Sequence, residues 1–126
     1  MMARLMSVSL TEPQVIAREK TVTRRMGWRM ARVGDQLTLC RKVMGRKADE
    51  PLVRIAQVEI TAISREPLAA ISQADLVAEG FPNMTASEFV AFFCSTHRGC
   101  RPDSLVTRIQ WRYLTATDNN TTEEVA

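Results

Sequence analysis

The chain has no apolar run approaching ~18 residues, so no stretch of it is long enough to cross a membrane as a helix. Residues 1–10 carry one arginine but neither an uninterrupted apolar core nor a small-residue cleavage site, so no secretory signal is expected. Cysteine is scarce: three residues, an odd number, argue against a disulfide framework and for a reducing compartment. Histidine occurs once, at His97, and nothing resembles a Ser-His-Asp triad, a P-loop or a dinucleotide fingerprint. What is present is an ordinary globular mixture of 126 residues, 45% hydrophobic and 25% charged. A chain of this length buries roughly two thirds of its unfolded surface, enough for one core without disulfides or metal. The expectation is one soluble, cytosolic domain.

Charge is distributed unevenly. Between Arg18 and Lys47 ten basic residues (Arg18, Lys20, Arg24, Arg25, Arg29, Arg32, Arg41, Lys42, Arg46 and Lys47) face only Glu19 and Asp35, a local balance of +8. The remainder holds seven basic and twelve acidic residues, −5, which recovers the net +3. Such asymmetry suggests a positive surface for a polyanion, and the bland alternative is a solvated basic face with no partner.

The pattern predicts a strand-rich α+β domain. Leu5, Met6, Val8 and Leu10 suit a first strand. Thr11-Glu12-Pro13-Gln14 reads as a helix start with a Thr cap and Pro in the first turn, the helix ending near Glu19. Gly34-Asp35 is a turn leading into a strand over 36–43, residues 44–51 read as a loop, and the β-branched run 52–63 as a long strand buried on much of both faces. Helices are expected over 72–77 and 85–94, the second opened by the capping box Thr85-Ala86-Ser87-Glu88 and carrying a stripe of Phe89, Phe92 and Phe93. Thr107, Ile109, Trp111 and Tyr113 alternate with polar residues as a half-buried strand. Residues 115–126 are polar and acidic without periodicity, and a frayed tail is expected. Strands outnumber helices, which favours a small barrel with helices in its connections.

Few residues carry chemistry. Lys20-Thr21-Val22-Thr23-Arg24-Arg25 is the densest cluster. Extended, it points Lys20, Val22 and Arg24 one way and Thr21, Thr23 and Arg25 the other; a bulge would bring Lys20 to Thr23, as a lysine-activated hydroxyl requires. The same residues suit phosphate, with forked arginine donors and a threonine hydroxyl, and composition favours that over catalysis. Trp28, beside Arg29, stacks a base if exposed, though a tryptophan in a small domain is more often core. Cys94, His97 and Cys100 have the spacing C-x2-H-x2-C, but a structural zinc site needs four ligands and the remaining thiol, Cys40, lies on another strand. No metal is expected, and His97 reads as a helix C-cap. Glu79 ends a predicted helix, where a carboxylate opposes the helix dipole, which hints at another purpose. Glu59, within the long apolar strand, needs a cationic partner if it points inward.

The Lys20–Arg25 run after a short helix, followed by Gly34-Asp35 and a strand, resembles the ASCH domain, a branch of the PUA-like superfamily. The segment Ala78-Glu79-Gly80-Phe81-Pro82-Asn83-Met84-Thr85, then Phe89-Val90, then Val106-Thr107-Arg108-Ile109, is similar to the small ASCH proteins of bacteriophages and bacteria. The resemblance spans about residues 6–114. It implies a small PUA-like β-barrel with short flanking helices over 1–114, no cofactor, and RNA or a modified nucleoside as ligand. The location it implies is a bacterial cytoplasm, that of the host if the chain is phage-encoded. Within the family, the N4-acetylcytidine amidohydrolases are similar in length and in the K-T-x-T element. Their proposed lysine and threonine carry over to Lys20 and Thr23. The acid nearest Asn83-Met84-Thr85 is Glu79, with Gly80, Phe81 and Pro82 between them.

Two functions are therefore expected as alternatives. In the first, a basic cleft of Lys20, Thr21, Thr23, Arg24, Arg25, Trp28 and Arg29 binds RNA or another single-stranded or modified nucleic acid, with affinity that falls steeply with salt. In the second, Thr23 attacks the acyl carbon of an N4-acylated cytidine, Lys20 moves the proton and Glu79 orients the lysine. The +8 segment favours the first and the Lys20/Thr23 pair the second.

Overall fold

In the computed structural model, which describes residues 4–115, one mixed sheet is built from β1 (Arg4–Ser7), β2 (Val22–Arg25), β3 (Gln36–Cys40), β4 (Arg54–Pro67) and β5 (Leu105–Tyr113). Of the expected tail 115–126, all but Thr115 lies outside the described residues. The strands run in the order β1-β3-β4-β5-β2, with β1 parallel to β3 and every other pair antiparallel. The sheet curls into a half-barrel accompanied by three short helices, α1 (Glu12–Ile16), α2 (Gln73–Glu79) and α3 (Ala86–Thr96), an α+β arrangement. Among the described residues no helix is long and apolar enough to cross a membrane.

Alternation explains the core. On β5 the side chains of Thr107, Ile109 and Trp111 are buried while Arg108, Gln110 and Arg112 are not, the period of two expected of a sheet with one covered face. Met6, Leu37, Leu39, Val58, Ile60, Ile109 and Trp111 meet inside the curl. A second cluster, with Leu68, Ile71, Leu76, Phe89, Phe93 and Val106, packs α2 and α3 over the far ends of β4 and β5. The cleft described below opens where these two cores meet.

Several local expectations change on contact with the fold. β1 stops at Ser7 and the chain turns through a 3-10 segment, Ser9–Thr11, leaving Leu10 exposed. Thr11 caps α1 without a side-chain hydrogen bond, and the Gln14 amide donates to the Gly80 carbonyl at 3.0 Å. The β4 strand begins later and runs further than 52–63, and only Val58 and Ile60 are fully buried. α2 and α3 cover one end of the sheet and α1 seats Val15 in the core inside the curl, while Glu59 on β4 pairs with Arg112 at 3.5 Å. The α3 capping box is complete, with Thr85 Oγ1 accepting from the Glu88 amide at 3.1 Å and Glu88 accepting from the Thr85 amide at 2.9 Å.

The turn after α2 is a fixed point. Gly80 takes φ +99°, a left-handed conformation that terminates the helix, and a Cβ there would lie 2.9 Å from Gln14 Cγ. Gly99, at φ +77°, has no atom within 4 Å of the equivalent position. Gly80→Ala should therefore cost about 2–3 kcal/mol in denaturant unfolding, from backbone strain plus displacement of Gln14, against about 1 kcal/mol for Gly99→Ala. Equal costs would show that the Gln14 contact contributes nothing.

Candidate functional site

Curling brings the two edges of the sheet, β1 and β2, towards one another without pairing them. The Arg25 guanidinium spans the seam, its Nη2 donating to the Ser7 carbonyl at 2.8 Å. A cleft of about 260 Å³ opens along this seam. Ser7 to Thr11 form one wall, Lys20, Thr23, Arg24 and Arg25 another, and Glu79 with Phe81, Phe89, Phe92, Phe93, Thr96 and His97 close it from α2 and α3.

Lys20 is fixed before it reaches the cleft. Its backbone carbonyl accepts hydrogen bonds from the Trp111 indole at 3.0 Å and the Tyr113 hydroxyl at 2.5 Å, both on β5. Its side chain then runs to the end of α2, where Nζ donates to the Glu79 carboxylate at 3.0 Å and to the Glu79 carbonyl at 2.8 Å. Both side chains are almost fully buried, 3% and 4% exposed, which makes the charge on each expensive without the other. Burial lowers the Lys20 pKa from its ordinary value; the attraction of Glu79 opposes that shift without reversing it. The ammonium also meets a helix C-terminus, where the dipole favours a cation.

The other Glu79 oxygen accepts from Arg24 Nη1 at 3.1 Å, and Arg24 Nη2 reaches both Glu66 and Asp75 at 2.5 Å. Arg108 holds Asp75 in a two-pronged contact, Nε at 2.6 Å and Nη2 at 3.0 Å. Those bonds from Arg108, joined by Arg24 and against the effect of burial, hold Asp75 at about 2. Burial alone would lower Arg24, but Asp75, Glu79 and Glu66 outweigh it and its pKa is raised. Only Arg24 Nε, among the described buried side-chain polar atoms, has no hydrogen-bond partner. Thr23 Oγ1 accepts from Arg25 Nε at 3.2 Å, and burial lowers the Arg25 pKa although Glu79 opposes it.

Lys20, Thr23, Arg24, Arg25 and Glu79 thus share one cleft, and three residues named with them do not line it. Thr21 is half-buried, its amide donating to the Ala78 carbonyl at 2.8 Å. Trp28, at φ +53°, packs its ring against the barrel core, and Arg29 is exposed on the same loop. Sequence reasoning did not single out Glu66, Asp75 or Arg108. A buried arginine needs acidic partners, yet they come from β4, α2 and β5, and no spacing along the chain marks them. The phenylalanine stripe was readable as a packed helix face, and it also forms the cleft wall. Among the described residues no group of three His, Cys, Asp or Glu side chains is placed to hold a metal ion. His97 turns its Nδ1 to the Phe93 carbonyl at 2.9 Å and stacks its ring on Phe93 at 4.0 Å.

No family model and no curated protein matches the chain. Solved structures do. A DUF984 family protein of Enterococcus faecalis V583 superposes with TM-score 0.63 at 13% identity, covering 90% of this chain and 77% of that one. The ASCH domain from Lactobacillus crispatus JV V101 gives 0.57 at 17% identity over 87% and 79%. ASCH from Zymomonas mobilis gives 0.53 at 10% identity over 93% and 76%. At these identities the likeness establishes the fold alone: the half-barrel is the one seen in these bacterial ASCH-domain structures.

Two stability measurements probe the charge network. Arg24→Met leaves three acids without their shared cation and should cost about 3–5 kcal/mol in urea unfolding. Asp75 has a folded pKa below its unfolded one, so its contribution is present above about pH 4 and is lost as pH falls towards about 2. That contribution is ~2 kcal/mol. The stability gap between wild type and Asp75→Asn should accordingly close over that window; a constant gap would deny the pairing with Arg108 and Arg24.

Proposed function

We propose that this chain is a nucleic-acid-binding module whose cleft accepts a single planar base, from RNA or a modified nucleotide. The observation that carries this reading is the make-up of the walls. Phe81 and Phe92 are half-buried aromatics with ring centroids 5.7 Å apart, and they line the same cleft as Lys20, Thr23 and Arg25. A cleft lined by both aromatic rings and polar donors suits a base, which has a π-face and a hydrogen-bonding edge. The charge arrangement supports a base over a length of backbone. Lys20, Arg24 and Arg108 are committed to Glu79, Glu66 and Asp75, which leaves Arg25 as the surplus cation of the group. Phosphate contacts then fall to exposed cations outside the cleft, Arg29 among them.

A second reading draws on one further observation, the buried amine of Lys20 with its lowered pKa in the same cleft as the Thr23 hydroxyl. In it the substrate is a nucleoside acylated on the exocyclic amine of cytosine. Thr23 Oγ1 attacks the acyl carbon, and Lys20 accepts the hydroxyl proton and returns it to the leaving amine. Water then hydrolyses the acyl-threonine ester to release the acid and free Thr23, and Glu79 keeps Lys20 aimed. Arg25 Nε, already on Thr23 Oγ1, steadies the developing alkoxide.

The two are separated by assaying N4-acetylcytidine for release of cytidine beside titration of short single-stranded RNA at several salt concentrations. Base binding predicts no turnover, a shallow salt slope of about one to two phosphates, and at least a tenfold loss of affinity in Phe92→Ala. Turnover that disappears in both Lys20→Met and Thr23→Val selects the hydrolase. RNA binding with a steep slope, indifferent to Phe92→Ala, would place recognition on the exposed basic surface and remove the cleft from it.

A further inference from the structure

Cys94 and Cys100 take no part in the cleft, and neither acts as an isolated thiol. Their sulfurs lie 3.1 Å apart, one at the last turn of α3 and the other in the segment after it. The turn between them is closed by the Cys100 amide donating to the His97 carbonyl at 3.1 Å, with Gly99 in a left-handed conformation. Both cysteines also line a second cavity of about 480 Å³, separate from the first and walled by apolar residues that include Ala69, Val90 and Pro102. Cys40 is fully buried on β3, remote in the sheet from this pair.

We propose that Cys94 and Cys100 form a redox-active dithiol that exchanges with small-molecule disulfides admitted through the second cavity, and that the resulting internal disulfide fixes one wall of the first cleft. The thiolate of one cysteine attacks a sulfur of the small disulfide, forming a mixed disulfide and expelling one small thiolate. The second cysteine sulfur then attacks the first cysteine's sulfur in that mixed disulfide, forming the Cys94–Cys100 bond and expelling the small molecule's remaining half as a thiolate. The two cysteine protons end on the two released thiols, so the protein loses two electrons and the small disulfide gains them. Burial, and then the hydrogen bond with Cys94, push the Cys100 thiol up to about 11, so exchange accelerates as pH rises.

The link to the first cleft is one of chain geometry. The bond would close a loop whose interior contains Thr96 and His97, and both line the first cleft. His97 is stacked on Phe93, itself a cleft residue, so a restrained loop restrains an aromatic wall. In a reducing compartment the pair rests as thiols, and an oxidising challenge stiffens the site.

The experiment treats the full chain with oxidised glutathione at pH 8, follows intact mass, and measures amide exchange over residues 95–99. It does not rest on the nature of the cleft's ligand, so it can fail independently of the base-binding reading. Wild type should lose the mass of two hydrogens with no lasting adduct, whereas Cys94→Ser and Cys100→Ser should each retain one glutathione, because the resolving thiol is gone. Exchange at Thr96 and His97 should slow at least threefold on oxidation and return with dithiothreitol. Wild type that keeps a stable adduct, or keeps both thiols open to alkylation, overturns the dithiol. A bond that forms without slowing exchange over 95–99 overturns its connection to the cleft.

Discussion

A guanidinium taken out of water must be surrounded by acceptors, and that requirement at Arg24 organises much of this molecule. Its side chain is 1% exposed, and the acids that compensate it come from three places: Glu66 on β4, and Asp75 and Glu79 at either end of α2. Asp75 extends the network to Arg108 on β5. One cation on an edge strand therefore ties the helical layer to the sheet, and it also spends one Glu79 oxygen so that the other is left for Lys20. A buried network of this kind adds less stability than an apolar core of equal volume, but it admits few alternative arrangements and so fixes where the Lys20 ammonium sits.

The positive segment reads differently once folded. Along the chain, residues 18–47 look like a continuous surface for a polyanion. In space the cations divide by task. Arg41 pairs with Glu12 at 2.9 Å, and Arg18 lies over the Tyr113 ring at 4.8 Å. Lys20 and Arg24 are interior, while Arg29 is exposed on a loop that does not line the cleft. Charge counting predicts a field; it does not say which charges are already answered by neighbours that arrive later in the sequence.

The strands and helices were readable where one periodicity governs, as on β5 and in the capping box of α3. They were misjudged where two demands compete. Thr11 is the N-cap residue of α1 and Pro13 lies in its first turn, as read, but the Gln14 amide is claimed by the Gly80 carbonyl and the cap side-chain bond is absent. The apolar run on β4 suggested burial on both faces because β-branched residues look alike whether or not a helix covers them. For the cleft, local sequence named Lys20, Thr23, Arg24 and Arg25 as one cluster, and Glu79, noticed as an ill-placed acid, joined them only through the family resemblance. The partners of Arg24, and the two aromatic donors that hold the Lys20 carbonyl, come from elements set by topology alone.

That topology also sets an order of assembly. β2 pairs only with β5, so Val22 and Thr23 wait for Gln110 and Ile109, and the Lys20 carbonyl waits for Trp111 and Tyr113. On a ribosome the segment bearing Lys20 to Arg25 emerges early and stays without its sheet neighbour until the strand ending at Tyr113 has cleared the exit tunnel. The pairing joins residues far apart in the chain, Val22 to Gln110, so the loop it closes is long and its closure costs chain entropy. A nascent chain of this protein has no cleft to offer, and the site is completed only as the half-barrel itself is completed.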